Sequence, residues 1–170
     1  MLTVDELKSH FSNLGKIEWI GLRKPDEDRT ILMVNCAELL LDHGLVGDKS
    51  GLRGGDERQV SLIQAEYLPV IASFLNRAHV FPQELRRNIV ISGVNLGILQ
   101  GHTIRLNDAE LEITGNCAPC KKMEQILGYS GFNAMRNHGG VTAMVKRGGI
   151  IRVGDNVEVL MEDATHGRLI

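Results

Sequence analysis

Two nearby sulfurs are the part of this 170-residue chain best equipped for chemistry. Cys117 and Cys120 stand in the string Ile113-Thr-Gly-Asn-Cys-Ala-Pro-Cys-Lys-Lys, which reads as a strand-to-helix junction. The start of a helix carries unpaired N–H groups and a partial positive charge, and Lys121 and Lys122 add to it. A sulfur so placed can attack, cycle through a disulfide or bind a soft metal. A four-ligand zinc site fits poorly, because there is no second Cys pair. His10, His43, His79, His102, His138 and His166 also contain no pair at ligand spacing. Three readings stay open. The pair is a redox dithiol with Cys117 as its more exposed sulfur, a thiolate holding a metal carried by a larger organic ligand, or two packing sulfurs.

Arg86, Arg87 and Asn88 open the apolar run Ile89-Val-Ile-Ser. In an extended segment neighbours alternate faces, so Arg86 and Asn88 are expected on one face and Arg87 on the other. Arg86 with Asn88 then makes a clamp for an anion and an amide edge, since Arg grips phosphate in bidentate fashion. The competing reading is a solvated strand start. Arg53 and Arg58 flank the end of a Gly-rich stretch, 44–58, whose backbone N–H groups can cradle phosphate. No GxxxxGK[ST] string is present. Arg58 is expected to line an anionic-ligand pocket, and Arg53 to belong to a solvated loop. His138, beside Gly139-Gly140, reads as an exposed or hydrogen-bonded turn residue. Cys36, near a strand end, reads as core filling.

The elements that must position these groups are mostly short strands. The chain holds 19 Gly but only 4 Pro and 4% aromatic residues, a profile of many tight turns. Strands are expected at 17–22, 30–37, 59–63, 88–92 and 109–114, with further strands near 141–146, 150–153 and 156–160. Helices are expected at 3–14, capped by Thr3 with Glu6 and closed by Gly15, at 65–76 with Pro69 in the first turn, and at 119–127. A charged turn over 23–29 and a frayed tail from about 163 complete the reading. Such spacing predicts a mainly β domain, a barrel or sandwich with a few peripheral helices. At 43% apolar and 24% charged, the composition is that of one globular domain. A net charge of −2 argues against a general nucleic-acid binder. No apolar run reaches the roughly 18 residues of a membrane span, and no signal-peptide layout opens the chain, so a cytoplasmic protein is expected.

Taken in order, five strings resemble the MOSC family, named for the C-terminal domain of molybdenum-cofactor sulfurase. They are Gly44-Leu-Val-Gly-Asp, Arg58-Gln-Val-Ser-Leu-Ile-Gln-Ala-Glu, Arg86-Arg-Asn-Ile-Val-Ile-Ser-Gly, Leu111 to Cys120, and Gly149-Ile-Ile-Arg-Val-Gly-Asp-Asn-Val. The resemblance implies a single MOSC-type β-barrel domain over 1–170, with its core at about 17–160. It implies a pterin-based molybdenum cofactor, and reduction of N-hydroxylated small molecules such as amidoximes or hydroxylaminopurines. Family members with one Cys in this segment keep the one after Pro, so the metal and catalytic role falls to Cys120, with Cys117 beside it. Arg86 and Asn88 match the pterin- and phosphate-contacting positions, and Arg58 joins the cofactor-binding set. Ala118 departs from relatives that carry a hydroxyl residue there. The chain lacks the extra N-terminal β domain and the ferredoxin-like extension of larger relatives, so electrons come from an external reductase or carrier. Two alternatives stand beside the enzyme: a non-catalytic carrier of the cofactor or its sulfur, and a CxxC dithiol redox protein. Several relatives self-associate, so a homodimer is compatible with the resemblance.

Overall fold

The computed structural model describes residues 1–11, 14–24, 31–53 and 56–161, the side chains of 52 and 53 excepted. The order of elements is α1 (Val4–Lys8), β1 (Gly15–Arg23), β2 (Ile31–Val34), β3 (Cys36–Leu40), β4 (Gly44–Leu45), β5 (Val60–Gln64), α2 (Tyr67–Phe74), α3 (Pro82–Leu85), β6 (Ile89–Ser92), β7 (Thr103–Leu106), β8 (Ala109–Asn116), α4 (Lys121–Leu127), α5 (Gly131–Met135), β9 (Val141–Arg147), β10 (Gly149–Arg152) and β11 (Asn156–Leu160). Two 3-10 turns, Lys49–Arg53 and Leu96–Ile98, are interspersed.

Seven strands close a barrel in the order β1-β6-β5-β9-β8-β7-β11, and β11 returns to β1 through Gly15↔Val157 and Lys16↔Asn156. The other half of that β1 edge carries β2. A second sheet, β10-β3-β4, sends Ala37, Leu39, Leu45 and Ile151 into the same core. The strands alternate as half-buried strands should. In β8 Ala109, Leu111 and Ile113 are buried while Glu110, Glu112 and Thr114 stand half-exposed. β5 differs, because every one of its residues is buried. Leu62 faces the barrel interior, and Ile63 packs outward under the helices with Val90, Ile71, Leu85 and Met123. The reason is topological. β5 and β6 form a parallel pair, so the crossover through α2 and α3 covers their outer face.

Several expectations hold locally. The Thr3–Glu6 capping box forms, and Pro69 sits in the first turn of α2. Others are corrected. α1 stops at Lys8, well short of residue 14: none of its residues is buried, so no packed apolar face extends it. Gly15 begins β1 instead of closing a helix; a Cβ there would meet Val94 and the Ser92 carbonyl. The strand expected over 30–37 is broken at Asn35 into β2 and β3. Cys36 is exposed: Ala37 and Leu39 take the inner face of β3, leaving position 36 outside, so it does not fill the core. The charged turn expected at 23–29 and the tail from 163 lie largely or wholly outside the described residues.

One buried polar knot ties the loop after β4 to the barrel. Asp48 Oδ1 accepts from the backbone N–H of Arg23 at 2.7 Å and from Asn88 Nδ2 at 2.9 Å. Its Oδ2 accepts from Arg23 Nη2 at 2.7 Å and Ser50 Oγ at 2.6 Å. Burial alone would raise the Asp48 carboxyl, but the hydrogen bonds and charge of Arg23, with the Ser50 hydroxyl, outweigh it and bring it down to about 2. A carboxylate held below its unfolded value stabilises the fold above pH about 4, and loses that contribution as pH falls toward about 2. Asp48→Asn is therefore expected to destabilise the protein at neutral pH by about 2–3 kcal/mol in urea melts. The gap from wild type should narrow on going from pH 4 to pH 2; a gap independent of pH would remove the ionised carboxylate from the account.

Candidate active site

The two cysteines leave the end of β8 and enter α4, so the expected junction is present. The Cys117 backbone N–H donates to the Gly140 carbonyl at 2.9 Å, which lays the Cys segment along the entrance to β9. Cys117 is 8% exposed, whereas Cys120 precedes the first turn of α4 and is open to solvent. That order is the reverse of the one expected for a dithiol whose first sulfur is the more exposed.

The expected alternation of Arg86 and Asn88 against Arg87 fails at a single backbone position. α3 ends at Leu85, and Arg86 caps it in the left-handed conformation, φ 56 and ψ 31. The segment is not extended there, so face counting does not apply. Arg86 is buried and lines neither of the cavities beside the cysteines. Arg87 instead turns toward the Cys segment. Its Nε donates to the Gly139 carbonyl at 2.6 Å, Nη1 to the Leu85 carbonyl at 3.0 Å, and Nη2 to the Cys117 carbonyl at 3.1 Å. No carboxylate contacts it among the described residues. Burial lowers the Arg87 guanidinium from its ordinary value; charge on the Cys117 and Cys120 sulfurs opposes this, and the nearby cations Arg23 and Arg58 reinforce it. Gly139 makes the close approach feasible, since a Cβ there would collide with the Cys117 carbonyl oxygen.

Cys117 forms a wall between two cavities. The first, of about 360 Å³, is lined by Arg23, Lys49, Arg58, Ser61 and Thr142, with Asp56 as the one carboxylate among its described residues. Arg58 is among the residues that line it. Asn88 is not. It is fully buried, and both ends of its amide are engaged: Oδ1 accepts from the Ser61 N–H, the Ser61 hydroxyl and Arg23, and Nδ2 donates to Gly21 and Asp48. It cannot clamp a ligand's amide edge; it holds Arg23 and Ser61, which line the cavity. The second cavity, of about 620 Å³, lies on the other side of Cys117 and reaches Ala118, Pro119 and Gly140. His138 borders this region as the expected turn residue, with Nδ1 2.9 Å from the Arg136 carbonyl and its ring edge-on to Tyr67.

Sequence reasoning passed over Arg23, Lys49 and Arg87. Asp48, in the Gly44-Leu-Val-Gly-Asp string, was the signal for Arg23, because a buried carboxylate needs a cation. No group of three or more His, Cys, Asp or Glu side chains gathers to hold a metal ion among the described residues. No helix among them is long and apolar enough to cross a membrane.

The barrel has solved counterparts. The YuaD protein from Bacillus subtilis matches with a TM-score of 0.74 at 19% identity, over 88% of this chain and 98% of that one. YiiM from Geobacillus stearothermophilus matches with a TM-score of 0.71 at 13% identity, over 89% and 77%. YiiM from Escherichia coli matches with a TM-score of 0.62 at 21% identity, over 87% and 71%. Identities this low speak to the fold alone. No curated protein sequence matches the chain. The family model for the MOSC domain matches residues 49–158, which holds the cationic cavity's Arg58, the Arg87 bridge and both cysteines. The chain belongs to the MOSC domain family.

Proposed function

We propose that this chain binds the molybdenum cofactor and, with electrons from an external donor, reduces N-hydroxylated small molecules. The observation that carries the reading is the cation-rich cavity beside the Cys segment, where Arg23, Lys49 and Arg58 face Asp56, the one carboxylate among its described lining residues. A pterin cofactor with a phosphate arm needs a soft sulfur at one end and cation-rich donors at the other. The residues fit that demand. Asp48 anchors Arg23 through Nε and Nη2, leaving Nη1 without a bond among the described residues, and Arg58 is exposed to the cavity. The hydroxyls of Ser61 and Thr142 are engaged within the protein, so the positive side chains carry the phosphate. By family likeness Cys120 takes the metal, and its exposed position leaves the sulfur accessible. Cys117 stands between the phosphate cavity and the larger one.

The cofactor, when bound, supplies the two-electron chemistry that turns an N–OH bond into N–H and water with two protons. The chain's part is to bind and orient. Arg87 fixes the Cys segment against β9, and Arg23 and Arg58 hold the anionic arm. The exposed Cys120 and buried Cys117 weigh against a thioredoxin-like dithiol. A carrier of the cofactor or its sulfur would use the same groups and stop short of reduction.

Protein made in a host that synthesises the cofactor, then assayed for molybdenum and released pterin, tests the reading. Wild type should retain both, Cys120→Ser should lose the metal, and Cys117→Ser should keep it. Arg58→Gln should weaken cofactor retention by about tenfold, the worth of one charge-assisted contact. Benzamidoxime reduction with reduced viologen as donor then separates enzyme from carrier. Metal-free wild type from such a host would overturn the assignment.

A further inference from the structure

The larger cavity has a chemistry of its own. Its apolar walls come from Tyr67, Ile98, Pro119 and Phe132, and its polar groups are Asn95, Asn116, Arg136 and Asn137. None of those four side chains makes a hydrogen bond or ion pair with another described residue, and no Asp or Glu among the described residues lines the cavity. Elsewhere the pattern is different: Arg23 pairs with Asp48, Arg77 with Glu84, and Arg105 and Arg147 with Glu110. Among the described residues, Arg136 has no carboxylate and the three amides have no partner, so donors line one space between apolar walls with no acceptor of their own. At about 620 Å³ the space is of the size that takes a small organic ligand.

The backbone holds the donors in place. The Arg136 N–H donates to the Asn133 carbonyl at 3.2 Å, and the Arg136 carbonyl meets His138 Nδ1. His138 lies edge-on to Tyr67 and Phe74, with ring centroids 5.1 and 5.5 Å away. Asn137 follows in the left-handed region, φ 64, so the chain bends sharply just after Arg136. The turn carrying Arg136 is thus anchored to α2 through His138, beside the cavity that Arg136 lines.

We propose that this cavity binds a planar organic molecule bearing an oxyanion, a carboxylate or a phosphate ester, which pairs with Arg136 while the asparagine amides meet its remaining polar edge. The inference deepens the proposed function, since the cavity shares Cys117 with the cofactor cleft and would be the substrate's side of it. The cavity's preference can nevertheless be read without cofactor or turnover.

Isothermal titration of the full chain with benzoate, phenyl phosphate and the neutral benzamide tests it. Wild type is expected to bind at least one of the two anions about tenfold more tightly than benzamide, as one charge-assisted pair warrants. Arg136→Gln should abolish that preference, and Arg136→Lys should keep part of it. The Arg136 side chain is exposed and has no partner among the described residues, so the substitutions leave the fold intact. The ratio of the two anions tells carboxylate from phosphate. Equal binding of anion and amide by wild type overturns the proposal, as does a preference that survives Arg136→Gln. A preference lost in Arg58→Gln but kept in Arg136→Gln also overturns it, because the anion then sits in the cofactor cleft. Failure of the cofactor reading shows separately, as a chain that retains no molybdenum.

Discussion

Three carbonyl oxygens, those of Leu85, Cys117 and Gly139, converge on the buried guanidinium of Arg87. They belong to the end of α3, the Cys segment and the turn before β9, so one side chain sets the relative position of all three. The acceptors are neutral, and no carboxylate balances the charge among the described residues. A buried cation so treated keeps its field. Arg23 and Arg58 act in the same sense. The Cys segment therefore lies among three arginines, and whatever binds against it meets positive charge.

The Asp48 knot shows the opposite solution to the same problem. There a buried carboxylate absorbs Arg23 through two oxygens, and Asn88 fills the remaining lone pairs and protons. The fold neutralises one arginine on its inner side while leaving Nη1 without a partner among the described residues. Structural and ligand-facing duties are divided within one guanidinium. Cys117 is divided likewise: its backbone is spent on Gly140 and Arg87, and its side chain borders both cavities.

Strands whose apolar residues alternate were legible in the sequence. Leu111 and Ile113 against Glu110 and Glu112 could only be a half-buried strand, and β8 is one. Pro69 was placed correctly because ring sterics allow it only near a helix start. The Cys pair at a strand-to-helix junction was read from Gly115, Pro119 and the run after it. What escaped were facts that depend on one backbone angle or one distant partner. Face counting across 86–88 assumed an extended chain, and with a left-handed residue at 86 it is Arg87 whose side chain meets the Cys segment. Asn88 looked like a ligand group because its saturating partners, Asp48 and Ser61, are distant in sequence. Cys36 was assigned inward when the break at Asn35 had shifted the phase of the following strand.

The barrel is shut by the pairing of β1 with β11, Gly15 against Val157. Those residues are nearly the whole described length apart, and β1 lies ahead of the stretch matched by the family model. During synthesis β1 can pair early with β2, but its closing edge must wait until β11 has left the ribosome. Until then Ile17 and Ile20 face an incomplete interior, and the nascent chain is at its stickiest. Chaperone dependence in the cell would thus track the arrival of the final strand, whatever becomes of the cysteines.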